Sequence, residues 1–95
     1  MSSIEEIKNK LNPVFNKYNV KDAYIFGSVA KNLATEKSDI DIFVDSGLKG
    51  ISFFGLLEDI VTITGKEIDL IDKSQIVAGS RIDEEIKKTG VKIYG

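Results

Sequence analysis

The order of hydrophobic periodicities along the chain predicts an α/β domain with helices packed on a central sheet. Two observations carry this. Apolar residues recur every three or four positions in residues 4–18, 51–64 and 75–88, which is helical spacing. Short β-branched or aromatic stretches at 20–26, 39–45, 66–72 and 91–94 lie between and after them. Strand patterns separated by helical ones fit a layered α/β arrangement, and 95 residues make one domain over residues 1–95 the natural count.

The first helix places Ile4, Ile7, Leu11, Val14, Phe15 and Tyr18 on one face, and Ser3 with Glu6 three residues later reads as a capping-box start. Pro13 removes a backbone donor inside this pattern, so a kink or break is expected near Asn12. Residues 20–26 (VKDAYIF) read as a buried strand that meets Gly27-Ser28 and turns sharply. Residues 29–33 suffice only for a short helix, and residues 34–38 are polar and loop-like. Residues 39–45 (DIDIFVD) alternate Ile40, Ile42 and Val44 with Asp39, Asp41 and Phe43, the pattern of a half-buried strand. After a turn at 46–50, residues 51–64 form a helix stopped by Gly65, with a face drawn from Phe53 or Phe54, Leu57, Ile60 or Val61, and Thr64. Residues 66–72 (KEIDLID) give another strand, 75–88 a last helix carrying Ile76, Ile82 and Ile86, and 91–94 a closing strand.

Composition narrows the chemistry. With no His and no Cys, imidazole- or thiolate-based nucleophilic machinery, a zinc–thiolate site and a disulfide framework are all excluded. Catalysis must run on carboxylates, hydroxyls, Lys or Arg, with a hard metal as the natural helper. Thirteen basic against fifteen acidic residues give a net charge of −2, which argues against an extended nucleic-acid footprint. No apolar run reaches the ~20 residues that cross a bilayer, and the first residues lack a signal-peptide layout, so a cytoplasmic location is expected.

Three features can carry chemistry. Asp39 and Asp41, two apart on a strand, emerge on one face with Cα atoms roughly 6.5–7 Å apart, close enough to share a divalent cation. The same alternation also describes any strand with one wet face. Gly27-Ser28 follows a buried strand and opens a helical stretch, where a tight turn, free amides and a hydroxyl suit a phosphate, although Gly-Ser is also an ordinary turn. Asp69 is the one acid inside the run Ile68-Asp69-Leu70-Ile71, and it shares a face with Glu67 and Ile71. Together these residues form a set suited to triphosphate chemistry: a Gly-Ser turn for the outgoing phosphates, two Asp for Mg²⁺, and a third carboxylate near an attacking hydroxyl. The sequence shows no Trp and no evident aromatic pocket for a nucleobase.

The stretch GSVAKNLATEKSDIDIFVD, residues 27–45, together with KEIDLID and the ending KTGVKIY, resembles the minimal nucleotidyltransferases of the DNA polymerase β-like superfamily. The resemblance implies a small polymerase β-like fold with a mixed central sheet flanked by helices. It also implies Asp39, Asp41 and Asp69 as catalytic and metal-binding residues, Gly27, Ser28 and Lys31 as nucleotide-binding residues, ATP as donor and two Mg²⁺ ions. The partner it implies is a HEPN-type helical toxin, on which the nucleotidyltransferase acts as antitoxin by adding AMP to a tyrosine. Lys31 and Asn32 stand where that family commonly has Arg and Gly; Lys keeps the charge and loses the bidentate fork. Three other readings stay open: a non-catalytic antitoxin that covers its partner, nucleotidyl transfer to a small-molecule hydroxyl, and a structural domain whose strands have polar faces. Phe53 or Phe54 could lie at a partner surface, and Arg81 reads as a surface residue.

Overall fold

In the computed structural model, residues 3–31 and 39–95 are described. Helix α1 (Ile4–Lys17) leads into strand β1 (Asp22–Phe26) and a single-turn helix α2 (Gly27–Ala30). Strand β2 (Ile40–Asp45), helix α3 (Gly50–Thr64), strand β3 (Ile68–Asp72), a 3₁₀ turn (Lys73–Gln75), helix α4 (Arg81–Thr89) and strand β4 (Val91–Tyr94) follow. The strands form one sheet in the order β3-β2-β1-β4, with β1 antiparallel to β2 and β4, and β2 parallel to β3. This is the mixed sheet the sequence led us to expect.

Local chemistry explains the element ends. The Ser3 hydroxyl accepts the Glu6 N–H at 3.1 Å and caps α1. At the other end Asn19 takes a left-handed backbone (φ 55°), and the Val20 and Asn19 amides donate to the Phe15 and Asn16 carbonyls. That is a Schellman closure, with Val20 and Phe15 both buried beside it. The expected break at Pro13 does not occur, and α1 is one helix. Pro13 and Asn9, whose carbonyl loses its partner, are both exposed, so water can satisfy the freed oxygen.

Two other expectations are corrected. The last helix does not begin at Gln75. The Asp72 carboxylate caps a separate 3₁₀ turn, and α4 starts only where the Ser80 hydroxyl accepts the Asp83 N–H at 3.3 Å, with Gly79 at φ 79° just before it. On α3 the fully buried positions are Leu56 and Ile60, whereas Leu57 is half-buried and Val61 exposed. Gly65 closes α3 as expected, in a left-handed conformation with its amide on the Val61 carbonyl. The short helix α2 begins two residues earlier than expected; Leu33 and residues 34–38 lie outside the described residues.

Register divides the sheet into two unlike faces. Ala23, Ile25, Ile40, Ile42 and Val44 alternate onto one face and join Ile7, Leu11, Phe15, Leu56 and Ile60 of α1 and α3 in a single buried cluster. Burying each of these larger side chains contributes roughly 1.5–3 kcal/mol, so this face holds the fold. The other face carries Asp22, Tyr24 and Phe26 of β1 opposite Asp45, Phe43 and Asp41 of β2. Ile86 of α4 is buried outside the main cluster, and α4 lies against β1 on this second face.

Candidate active site

Strand pairing brings the acids together. In the parallel β2–β3 pair Asp41 lies directly opposite Asp69, so the two side chains leave the same face of neighbouring strands about 4.8 Å apart in the hydrogen-bonding direction. Asp39 precedes β2 and is exposed, as is Asp69, while Asp41 is half-buried. Burial pushes the Asp41 carboxyl above the ordinary range, and the neighbouring charges of Asp69, Asp39 and Glu85 push it further. A carboxylate held among like charges is a site that a divalent cation relieves. Among the described residues no three carboxylates converge as a ready-made cage for one ion.

Gly27 explains how Asp41 is seated. Phe26, the last residue of β1, pairs with Asp41, so Gly27 leaves the sheet beside the Asp41 side chain. Its backbone is left-handed (φ 74°), and a Cβ built there would run into Asp41 Oδ2 and lie 3.1 Å from Cγ. Only glycine meets both conditions. Gly27→Ala is therefore expected to displace the Asp41 carboxylate and to cost about 1–2 kcal/mol of stability, read as a lower denaturant midpoint together with lost activity. Immediately beyond, α2 begins with Phe26 as N-cap and no side-chain acceptor for its first amides. Ser28, in the first turn, is half-buried.

The structure brings together Gly27, Asp41 and Asp69, with Ser28 one residue from Gly27. The Lys31 Nζ, at the end of α2, lies 3.3 Å from Oε1 of Glu85 on α4. Glu85, whose charge reaches Asp41, is a neighbour of the aspartates that sequence reading missed. It sits in an ordinary run of helical charges, Asp83-Glu84-Glu85, and only the packing of α4 beside α2 reveals it. A second feature invisible in the sequence is a cavity of about 640 Å³ on the same face of the sheet as Asp41, lined among others by Tyr24, Phe43, Ile76 and Ile86 and by none of Gly27, Ser28, Asp39, Asp41 and Asp69. The Tyr24 and Phe43 rings, from two different strands, have centroids 6.0 Å apart. Phe43 is two positions along β2 from Asp41 and faces the same way. Arg81 is exposed, and Phe54 is 58% exposed while Phe53 packs against the core cluster.

The geometry can be set beside known proteins. The polymerase β nucleotidyltransferase family matches residues 9–95. The chain is 42% identical over 77 residues to the Methanocaldococcus jannaschii protein named "Putative protein adenylyltransferase MJ0435", a match that covers 78% of this chain and 82% of that one. A second protein of that organism, "Putative protein adenylyltransferase MJ0126", is 43% identical over 82 residues, covering 80% and 81% of the two chains. Among solved structures, a chain of a toxin-antitoxin complex with AMP-PNP superposes with a TM-score of 0.76 at 22% identity, covering 93% of this chain and 73% of its own. A chain from the complex of tri-AMPylated Shewanella oneidensis HEPN toxin with MNT antitoxin gives 0.70 at 21% identity, covering 97% and 72%. The paired aspartates on adjoining strands, the glycine seated against one of them and the match along nearly the whole chain have one common reading: this chain belongs to the polymerase β nucleotidyltransferase family.

Proposed function

We propose that the chain is a Mg²⁺-dependent adenylyltransferase that moves AMP from ATP to a tyrosine hydroxyl of a HEPN-class partner, and that it serves as the antitoxin of that pair. The observation that carries the chemistry is the register Asp41 opposite Asp69 with Gly27 closed against Asp41. The names of the M. jannaschii relatives support protein adenylylation, and the toxin-antitoxin complexes of like fold support the partner class.

In this reading Asp39, Asp41 and Asp69 are the residues that would hold a divalent cation. A divalent cation bound there supplies charge neutralisation for the triphosphate and acidifies the acceptor hydroxyl. Ser28 and the uncapped amides at the start of α2 hold oxygens of the outgoing phosphates, and Lys31 adds a cation beside them. The acceptor oxygen attacks the α-phosphorus in line, the bond to the β-phosphate oxygen breaks, pyrophosphate leaves, and Asp69 takes the hydroxyl proton. Among the described residues no helix is long and apolar enough to cross a membrane.

Metal binding has a direct readout. Mg²⁺ at about three times its Kd is expected to raise the melting temperature by roughly 3–6 °C in the parent chain and not in an Asp41→Asn variant. For the function itself, the purified HEPN-class partner is incubated with this chain, Mg²⁺ and ATP, and its mass is measured. A covalent AMP adduct on a partner tyrosine is expected. A tight complex whose partner stays unmodified overturns the enzymatic reading in favour of a covering antitoxin, and an adduct found only on an added aminoglycoside overturns the protein acceptor.

A further inference from the structure

We propose that Glu85 is a positioning residue of the nucleotide site: it holds Lys31 at the end of α2 when no nucleotide is bound and releases it to the incoming triphosphate. This rests on the reading that the chain binds ATP at Gly27, Ser28 and the aspartates.

Three observations support the pairing. Lys31 is the first residue after α2, and its Nζ reaches 3.3 Å from Glu85 Oε1 across the α2–α4 contact. The pair is only partly covered, at 43% and 32% side-chain exposure, so it is weak enough to exchange for a stronger anion. Glu85 is half-buried on α4, which packs beside α2. Its charge is also felt at Asp41. Asp41 and Glu85 thus share one acidic neighbourhood, and Glu85 is the acid with which the Lys31 ammonium pairs.

A triphosphate carries more negative charge than one carboxylate and accepts from Lys at several oxygens, so Lys31 gains on transfer. Glu85 left behind then adds a fourth negative charge beside the aspartates. The contact is a held cation that must be competed for, so removing the competitor should tighten nucleotide binding when metal is absent.

The test uses the full chain and a fluorescent ATP analogue, titrated in EDTA and again in Mg²⁺, for the parent, Glu85→Gln, Lys31→Met and the double variant. In EDTA, Glu85→Gln is expected to bind the analogue about three- to tenfold more tightly than the parent. Lys31→Met is expected to bind more weakly, and Glu85→Gln on the Lys31→Met background is expected to give no gain. A Glu85→Gln affinity equal to the parent's overturns the proposal. So does a gain that persists without Lys31, since Glu85 would then act only by its own charge. Failure of the parent chain to bind the analogue in either EDTA or Mg²⁺ overturns the nucleotide reading beneath it, a result distinct from both. Circular dichroism melting of each variant, expected to match the parent for these part-exposed residues, separates lost binding from lost fold.

Discussion

Asp41→Asn is expected to reduce nucleotidyl transfer by more than about a hundredfold while leaving the melting temperature, without metal, at or above that of the parent chain. The two halves have one cause. Asp41 is seated in the fold against Gly27 and opposite Asp69, and burial with the charges of Asp69, Asp39 and Glu85 raises its carboxyl pKa. A carboxyl whose pKa is higher folded than unfolded binds its proton more tightly in the native state. Its ionised form therefore subtracts from stability, beginning near the unfolded value of ~3.9 and reaching its full cost above the raised folded value. At neutral pH the amide removes that cost and keeps the shape of the side chain. It also removes a metal ligand, so activity falls as stability holds or rises, which is the usual relation where a site is built from repelling groups. Thermal melting at pH 7 in EDTA, set beside a transfer assay, checks both parts. A variant that is inactive because it is unfolded would contradict this explanation.

Asp72→Asn is expected to do the reverse, costing about 2–3 kcal/mol, or roughly 10–20 °C of melting temperature, without altering any group at the aspartate site. Asp72 is 3% exposed and lies at the end of β3 on the core side, opposite Val44. One of its oxygens accepts from the Ser46 amide and hydroxyl at 3.0 and 2.6 Å, and the other from the Ser74 amide and hydroxyl at 2.9 and 2.7 Å. The carboxylate thus ties the loop after β2 to the turn after β3, and Gln75 returns the contact by accepting the Asp72 N–H. An asparagine must aim its NH₂ at one of the two serines and leaves that amide without an acceptor. Burial alone would push this carboxyl up, but the hydrogen bonds from both serines outweigh it, and its pKa lies below the ordinary range. For a depressed carboxyl the added stability is complete above the unfolded value of ~3.9 and is lost as pH falls through the folded one. Denaturation curves of parent and variant should therefore differ at pH 7 and draw together in acid below that value. A gap of the same size at both ends of that range would place the effect in packing and not in the charge.

These two aspartates also mark what the sequence can and cannot disclose. Element type follows from periodicity and caps, and Ser3, Gly65 and the alternation of residues 40–45 act locally, so most of the fold is legible. Pro13 misleads because its effect depends on which side of α1 meets water. The late start of α4 is hidden because Ser80 and Asp72 compete as caps for a stretch with helical spacing, and both win over their own short segments. In KEIDLID, Asp69 and Asp72 look alike as acids among aliphatics. Three positions apart, they fall on opposite faces, one into the acid cluster and the other into a serine cradle. The candidate site is legible where it depends on strand alternation and a Gly-Ser turn. It is not legible where it depends on a contact between elements distant in sequence, as in Lys31 with Glu85.

The chemistry comes down to which phosphorus the acceptor attacks. Mg²⁺, the chain and its HEPN-class partner are incubated in parallel with ATP labelled at the α- or at the γ-phosphate, and the partner is then separated under denaturing conditions. Label on the partner from α-labelled ATP alone, with pyrophosphate released in equal amount, is the expected result. Label arriving from γ-labelled ATP, or no label while the complex forms, would contradict nucleotidyl transfer by Asp39, Asp41 and Asp69.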